Sequence, residues 1–252
     1  MKLEALLFDV DGTLVDTEEL HRQSFNQAFL EFHLGWDWNP DLYMELLAVS
    51  GGVHRIASYI DTLGLSAAEK TRLRGIIPAV HRAKTRNYGE LLDNRAARLR
   101  PGIARLIEEA RQAGLRVGLA ATSSSANVDR LLAAVLGDEG LRLIDAVVSA
   151  DQVARKKPAP DLYELLLTML RVPALSCVAF EDSLCTVVTP TRWTRPQKFG
   201  GADLLLPSLG DPDQPLDPAH AMVAGAPYLV LARLRALRSV ANLVVTAREA
   251  QS

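Results

Sequence analysis

The stretch LEALLFDVDGT, residues 3–13, decides the fold of this chain. Residues 3–8 are an apolar run that stops at two carboxylates and a glycine, which predicts a buried strand ending in an acidic turn. Asp9 and Asp11 stand two residues apart, and Gly12 lets the backbone curl so that both can approach one phosphorus atom. One carboxylate can then attack phosphorus while the other protonates the leaving oxygen and later activates water. The stretch therefore favours two-step hydrolysis of a phosphate ester over its alternative, a solvated acidic turn.

The remainder of the chain predicts an α/β core that is interrupted by helices. Between residues 17 and 98 apolar residues recur at helical spacing, with breaks near Gly35, Asn39-Pro40, Gly51-Gly52, Gly64-Leu65-Ser66 and Pro78. Helices then alternate with strands, the helices over 103–113, 126–136 and 160–170 and the strands over 117–121, 144–148 and 176–180. This alternation predicts an α/β fold with a doubly wound, mostly parallel, Rossmann-like sheet.

The helical block predicts a second domain inserted into the first. We expect a discontinuous catalytic core over 1–15 and 100–252 and a helical cap domain over 16–99. Open parallel sheets bind ligands beyond the carboxyl ends of their strands, and the insertion follows the first strand directly. A cap over the acidic turn is therefore expected.

Composition and charge limit the classes of partner. The chain has 252 residues, 48% of them apolar, and a formal net charge of −2, so it offers no basic field for nucleic acid. A membrane partner is not expected, because Asp9 and Asp11 break the N-terminal apolar run. Cys177 and Cys185 match no metal-ligand spacing and are interpreted as buried thiols. These features predict a cytoplasmic monomer that acts on a small molecule.

Four motifs in order resemble those of the haloacid dehalogenase-like (HAD) hydrolases. Residues 9–13 match the family's DxDGT motif, and residues 117–123 resemble its second motif. The third and fourth motifs are matched by KPAPD at 157–161 and FEDS at 180–183. Each match is weak alone, but four in sequence order are specific. The resemblance implies a magnesium-dependent phosphatase that forms an aspartyl-phosphate.

The resemblance also implies roles for the acidic residues. Asp9 would be the nucleophile, and Asp11 the general acid and base. Mg²⁺ would be held by Asp9, the Asp11 carbonyl and Asp182, with Glu181 in support. Oxygen ligands suit Mg²⁺, and a cation screens an anionic nucleophile from an anionic phosphate.

The phosphate-binding residues follow the family less closely. Lys157 would neutralise the phosphate, and hydroxyls and N–H groups at a helix start would hold its oxygens. When the family's second motif is aligned with this sequence without a gap, its phosphate-binding serine or threonine falls on Ala121, one residue before Thr122. Either Thr122 takes its place, which we favour, or backbone amides and Ser123 hold the phosphate.

Three segments resemble the CbbY-like and β-phosphoglucomutase-related branch of the family. They are TEELHRQSFN at 17–26, SGGVHRI at 50–56 and HRAKT at 81–85. The resemblance implies a phosphorylated sugar, specifically a bisphosphate such as xylulose 1,5-bisphosphate. The implied substrate contacts are Glu18, His21, Ser50, Gly51, Gly52, His54, Arg55 and Lys84. Arg55 is the strongest of them, because a planar guanidinium suits a second phosphate. For the histidines and Lys84 the alternative is an ordinary polar helix or loop face.

The chain departs from the family after Ser183. The family's next helix is missing, and residues 184–189 already have the pattern of the next strand. A parallel neighbour needs a crossover of a dozen or more residues, so this strand is not expected to pair in parallel with 176–180. We expect an extended run, an antiparallel return, or a sheet edge shifted to residues 203–206, unless the sequence itself is in error.

Two other functions compete with the phosphatase. A phosphoglucomutase-type transferase would use the same acids and pass the phosphoryl group to a second sugar hydroxyl. A catalytically impaired paralogue would bind a phosphorylated ligand and turn it over poorly, as Ala121 and the missing helix suggest. Intact Asp9, Asp11, Lys157 and Asp182 argue against the second alternative.

Overall fold

The sheet that the sequence predicts is present and is parallel throughout the described residues. The computed structural model describes residues 2–49, 51–93, 97–155, 157, 159–182, 187–196 and 202–237. The strands are β1 (Ala5–Asp9), β2 (Arg116–Ala120), β3 (Ala146–Val148), β4 (Cys177–Glu181), β5 (Val187–Val188) and β6 (Leu204–Leu205). Their order is β3-β2-β1-β4-β5-β6, the doubly wound arrangement, so the predicted fold class is confirmed.

Helices alternate with the later strands of this sheet and also form the long insertion after β1. They are α1 (Glu18–Glu31), α2 (Pro40–Leu46), α3 (Gly52–Thr62), α4 (Ala67–Asp93), α5 (Ile103–Gln112), α6 (Ser125–Leu141), α7 (Asp161–Leu170) and α8 (Pro218–Ala224). Residues 231–237 are also helical. α6 is kinked at Gly137, where the predicted helix ends. None of the described helices is both long and apolar enough to cross a membrane.

The chain divides into two compact units. One unit comprises Met1–Asp16 and Arg98–Ser252 and contains the sheet, and the other comprises Thr17–Ala97 and contains α1 to α4. In the sheet unit all five residues of β1 are buried, and so is Cys177 in β4. Parallel strands covered on both faces have this continuous apolar character. Cys185 lies outside the described residues.

The predicted break at Pro78 is wrong. α4 runs through this residue without interruption, although proline removes one helical hydrogen bond at a cost of about 3 kcal/mol. The apolar stripe of α4 continues across the proline, with Leu73, Ile77 and Val80 buried. α4 packs against α1 and α3 along this face. Burial of the stripe offsets the free-energy cost of the proline, because each large apolar side chain that is buried contributes about 1.5–3 kcal/mol to stability.

The predicted exclusion of a parallel strand after β4 is also wrong. β5 pairs in parallel with β4, with Phe180 opposite Val187 and Glu181 opposite Val188. The two strands overlap only at the end of β4. The connection therefore has to carry the chain back along the strand direction by only one residue, roughly 3 Å, and not by the length of a whole strand. A short connection suffices for that. Residues 183–186 of this connection lie outside the described part of the chain, and the predicted loss of a helix falls on them.

Candidate active site

Parallel pairing brings three carboxylates together at the carboxyl end of the sheet. β1 pairs with β4 in a register that sets Phe8 beside Phe180, so the strand ends Asp9 and Glu181 are neighbours. Asp182 follows directly. Oxygens of these three side chains lie within 4.8 Å of one another, a group able to hold a metal ion. We call the three carboxylates, together with Lys157, the acid cluster.

Lys157 is the cation of the acid cluster. Its Nζ donates to Asp9 Oδ1 at 2.6 Å and to the Ala120 carbonyl at 3.0 Å, and it lies 2.8 Å from Glu181 Oε1. Burial alone would lower the pKa of this ammonium, but Asp9 and Glu181 outweigh burial and raise it. Lys157 is therefore charged and holds two carboxylates that would otherwise repel each other.

Tyr163 is a member of this network that the sequence analysis missed. Its hydroxyl donates to Glu181 Oε1 at 2.6 Å, and Lys157 Nζ lies 5.0 Å from the centre of its ring. Tyr163 stands two residues after the KPAPD motif, on α7. An aromatic residue in an apolar helix is usually interpreted as core, so its hydroxyl gave no signal of a polar role.

One oxygen of the Asp9 carboxylate accepts a hydrogen bond from Lys157, and the other accepts none from the described residues. The residue is only 5% exposed, and Oδ2 has no hydrogen-bond partner among the described residues. Burial raises the pKa of Asp9 well above its ordinary value; Lys157 opposes this rise, and Glu181 and Asp182 add to it. A buried carboxylate oxygen without a partner is costly unless a ligand satisfies it.

The acid cluster fits a divalent cation on two grounds. Its three carboxylates share the cluster with a single ammonium, and two of them, Asp9 and Glu181, are paired with it. Its ligand atoms are all carboxylate oxygens, the donors that Mg²⁺ prefers. The residues that could hold the ion are Asp9, Asp182 and Glu181.

Gly12 allows Asp182 to approach the acidic turn. The glycine has a positive φ of 91°, and a Cβ at this position would lie 2.4 Å from Asp182 Oδ2. The Asp182 carboxylate thus occupies the space that any other residue's side chain would fill. The turn is closed by a hydrogen bond from Gly12 N–H to the Val15 carbonyl at 2.7 Å.

Asp11 is oriented by a residue of the turn that follows β2. Ser123 Oγ donates to Asp11 Oδ2 at 2.7 Å, and Ser123 lies in the turn between β2 and α6. Thr122 is exposed in the same turn, and Ala121 before it is buried, its N–H bonded to the Val148 carbonyl. The choice of Thr122 as the phosphate-binding hydroxyl stays a prediction.

A second turn holds the Ser123 turn in place. Asp151 accepts hydrogen bonds from the backbone and hydroxyl of Ser125 and from the hydroxyl of Ser149. The Ala150 N–H donates to the Ser123 carbonyl at 3.0 Å. Hydrogen bonds from the hydroxyls of Ser125 and Ser149 are the main reason that the pKa of Asp151 is lowered to about 2. The sequence analysis missed this arrangement, which fixes the start of α6.

Several of the predicted substrate contacts lie together in the helical unit. We call Glu18, His21, Tyr43, Arg55 and Lys84 the helical cluster. The Tyr43 hydroxyl donates to Glu18 Oε2 at 2.9 Å and accepts from Arg55 at 3.0 Å. Arg55 also donates to the Leu46 carbonyl. Tyr43 is fully buried, was not predicted as a site residue, and links two residues that were.

His21 forms the second half of the helical cluster. Its Nδ1 lies 2.8 Å from Lys84 Nζ, and its ring stacks on Tyr88 at 4.2 Å. Burial, followed by the charges of Lys84 and Arg55, lowers the pKa of His21 well below its ordinary value. The imidazole is therefore neutral, and its Nδ1 accepts a hydrogen bond from the Lys84 ammonium.

The remaining predicted contacts occupy the start of α3. Gly51 precedes the helix with a φ of 86°, and Gly52 is its first residue. A Cβ on Gly52 would lie 2.8 Å from His81 Nε2, so this glycine brings α3 close to α4. His54 is exposed, and Ser50 lies outside the described residues.

Comparison with known proteins agrees with these motifs. A family model for haloacid dehalogenase-like hydrolases matches residues 3–184. The chain is 44% identical to the plasmid protein CbbY of Cupriavidus necator over 245 residues, which covers 93% of this chain and 96% of that protein.

Two solved structures of CbbY from Rhodobacter sphaeroides are similar in fold. One, in complex with phosphate, has a TM-score of 0.69 at 41% identity and covers 82% of this chain and 94% of that one. The other is a variant in complex with xylulose-(1,5)bisphosphate, with a TM-score of 0.70, 42% identity and the same coverage. The chain thus belongs to the haloacid dehalogenase-like hydrolases, and within them it is a phosphoric monoester hydrolase.

Proposed function

We propose that this chain is a magnesium-dependent phosphatase of a phosphorylated sugar and that it acts through an aspartyl-phosphate on Asp9. The observation that carries the proposal is the state of the Asp9 carboxylate. Lys157 holds Oδ1, whereas the buried Oδ2 has no described partner, and Asp9 belongs to a group of three carboxylates that could hold a metal ion. This arrangement suits a nucleophile that a cation and an anionic substrate complete.

The reaction has two steps. In the first, an Asp9 oxygen attacks phosphorus, the bond from phosphorus to the sugar oxygen breaks, and the protonated Asp11 gives its proton to that oxygen. In the second, Asp11 takes a proton from water, whose oxygen attacks phosphorus and breaks the bond to Asp9. Ser123 supports the role of Asp11 by fixing its Oδ2 with a hydrogen bond.

Asp9, the Asp11 carbonyl and Asp182 would hold Mg²⁺, with Glu181 in support. When bound, the ion supplies positive charge that screens the nucleophile from the phosphate and stabilises the transition state. Lys157 adds fixed positive charge beside Asp9. Thr122, Ser123 and the N–H groups before α6 would bind the phosphate oxygens.

The helical cluster supports a sugar phosphate as substrate. Arg55 and Lys84 both bring positive charge to it, as recognition of an anionic phosphate requires. Arg55 uses Nε and Nη1 within the described residues, and its remaining Nη donors suit a second phosphate. His21, Ser50, Gly51, Gly52 and His54 would add contacts to the sugar. The relative solved with xylulose-(1,5)bisphosphate makes that bisphosphate the first substrate to test.

The experiment is hydrolysis of xylulose 1,5-bisphosphate and of an aryl phosphate, with Mg²⁺ and with a chelator. Phosphate release identifies a phosphatase, whereas a sugar phosphate isomer without phosphate release identifies a phosphoglucomutase-type transferase. We expect stoichiometric phosphate release that stops in chelator. A folded chain that neither releases phosphate nor isomerises the sugar would contradict the proposal and favour the impaired paralogue.

A further inference from the structure

Arg100 joins three segments at the carboxyl end of the sheet. Its backbone N–H donates to the Leu14 carbonyl at 2.8 Å, so Arg100 lies beside the acidic turn that follows β1. Its guanidinium donates to the Gly12 carbonyl, to Thr189 O at 2.6 Å and Oγ1 at 3.0 Å, and to Pro207 O at 3.0 Å. Gly12 belongs to the turn after β1, and Thr189 and Pro207 follow β5 and β6.

These bonds complete a ring around Asp182. Thr189 N–H donates to the Glu181 carbonyl at 2.9 Å, so Arg100 is connected through Thr189 to the residue before Asp182. On its other side Arg100 is connected to Gly12, on which the Asp182 carboxylate lies. Asp182 and Arg100 also attract each other. The position of this carboxylate is thus set from two directions by one guanidinium.

We propose that Arg100 is a positioning residue for Asp182: its guanidinium fixes the Gly12 turn against the end of β5 and so holds the metal-ligand carboxylate in place. The inference rests on the proposed function. Asp182 directly follows β4, and β5 begins at Val187. Outer partners of this kind orient metal ligands, and their loss lowers metal affinity 10- to 100-fold.

An arginine is required because the acceptors diverge. The planar guanidinium has five N–H donors that reach carbonyls of separate segments at once. A lysine keeps the charge but has one nitrogen with three donors, and it cannot span Gly12, Thr189 and Pro207. Arg100→Lys therefore separates the loss of geometry from the loss of charge.

The test is Mn²⁺ binding, followed by the electron paramagnetic resonance signal of the free ion, together with the unfolding free energy of each variant. Arg105→Lys is the matched control, since Arg105 is a similarly enclosed arginine that pairs with Asp211 and donates to the Gly210 and Leu229 carbonyls, away from the acid cluster. We expect Arg100→Lys to bind Mn²⁺ at least tenfold more weakly than the wild type. Arg105→Lys should lose stability with unchanged Mn²⁺ affinity.

Thr189→Val is a milder second variant in case Arg100→Lys does not fold. It removes one acceptor of the guanidinium and should weaken Mn²⁺ binding by a smaller factor. The inference would be overturned if Arg100→Lys bound Mn²⁺ as tightly as the wild type, or if Thr189→Val did so where Arg100→Lys does not fold. Equal losses of Mn²⁺ affinity in the Arg100 and Arg105 variants would also overturn it. Either result would leave the proposed function standing. A wild type that neither binds Mn²⁺ nor releases phosphate would overturn both.

Discussion

The acid cluster and the helical cluster both bring charged groups together, carboxylates mainly in the first and cations mainly in the second. In the acid cluster Lys157 pairs with Asp9 and Glu181, and the Asp182 carboxylate lies beside those two. In the helical cluster Arg55 and Lys84 carry positive charge, Glu18 carries negative charge, and His21 is neutral. The first cluster therefore favours a cation and the second an anion.

The two clusters also differ in how they are held. Strand ends fix the acid cluster, since the register of β1 and β4 makes Asp9 and Glu181 neighbours. Side-chain bonds hold the helical cluster, through the Tyr43 hydroxyl and the contact between His21 and Lys84. Substitutions should therefore have large effects in the acid cluster and graded effects in the helical cluster.

The largest effect is expected from Lys157→Met. It leaves Asp9 and Glu181, both about 95% buried, without their cation. Removing one partner of a buried ion pair costs about 3–5 kcal/mol, so chemical denaturation should show a loss of this size. Combining the change with Glu181→Gln should restore part of the lost stability, since one unpaired carboxylate is then removed. Equal stability of Lys157→Met and wild type would show that the ammonium is not needed for folding.

Gly12→Ala should reduce hydrolysis about a hundredfold. The new Cβ would lie 2.4 Å from Asp182 Oδ2 and displace a metal ligand, and the positive φ adds backbone strain of roughly 1–2 kcal/mol. Gly114→Ala is the control, because Gly114 also has a positive φ, of 73°, but no atom within 4 Å of its Cβ position. Gly12→Ala should lose at least as much stability as Gly114→Ala, and only Gly12→Ala should lose activity at fixed Mg²⁺. Equal rates would disprove the close contact with Asp182.

His21 should make the stability depend on pH. Its folded pKa is lowered by burial, Lys84 and Arg55, so below about pH 6.5 the unfolded chain binds a proton that the folded chain does not. Stability should be full above that pH and fall as the pH drops, by at most about 1.4 kcal/mol per pH unit for one proton. Denaturation at a series of pH values should show a smaller slope for His21→Gln. The same replacement of the exposed His54 is the control; an unchanged slope in His21→Gln would contradict the assignment.

Tyr43→Phe should have the smallest effect, a loss of about 1 kcal/mol. It removes the hydroxyl between Glu18 and Arg55 and keeps the ring that packs on Phe25 and Trp38. Thermal unfolding measures the loss, and KM for the bisphosphate should rise because Arg55 is less well placed. Tyr59→Phe is the control, as its hydroxyl makes no hydrogen bond to the described residues. If both variants behave alike, Tyr43 contributes only packing.

The sheet and the acid cluster follow from short motifs, because strands in parallel end at one edge. That argument places Asp9, Glu181 and Asp182 together without further information. It does not find Arg100, since its acceptors are backbone carbonyls of three distant segments and no residue pattern marks them. Tyr163 was missed for a related reason: its hydroxyl is one polar atom on an apolar helix.

The errors arose where a local rule was overridden. Pro78 should end a helix, but a buried stripe on both sides of it keeps α4 continuous. The crossover rule excludes a parallel β5 only for strands that overlap along their whole length. Here the overlap is two residue pairs, Phe180 with Val187 and Glu181 with Val188. Neither the extent of an overlap nor the burial of a helix face is readable from one sequence.

The central claim is that Asp9 carries the phosphoryl group, and the most direct test traps it. Enzyme mixed with substrate and Mg²⁺ is quenched and treated with borohydride, which reduces an aspartyl-phosphate to homoserine, and its peptides are analysed by mass spectrometry. We predict homoserine at position 9 in the wild type and none in Asp9→Asn, which should also lose hydrolysis by about a thousandfold or more. Turnover with homoserine at position 11, or with no trapped residue under conditions that trap other phosphoaspartates, would contradict the claim.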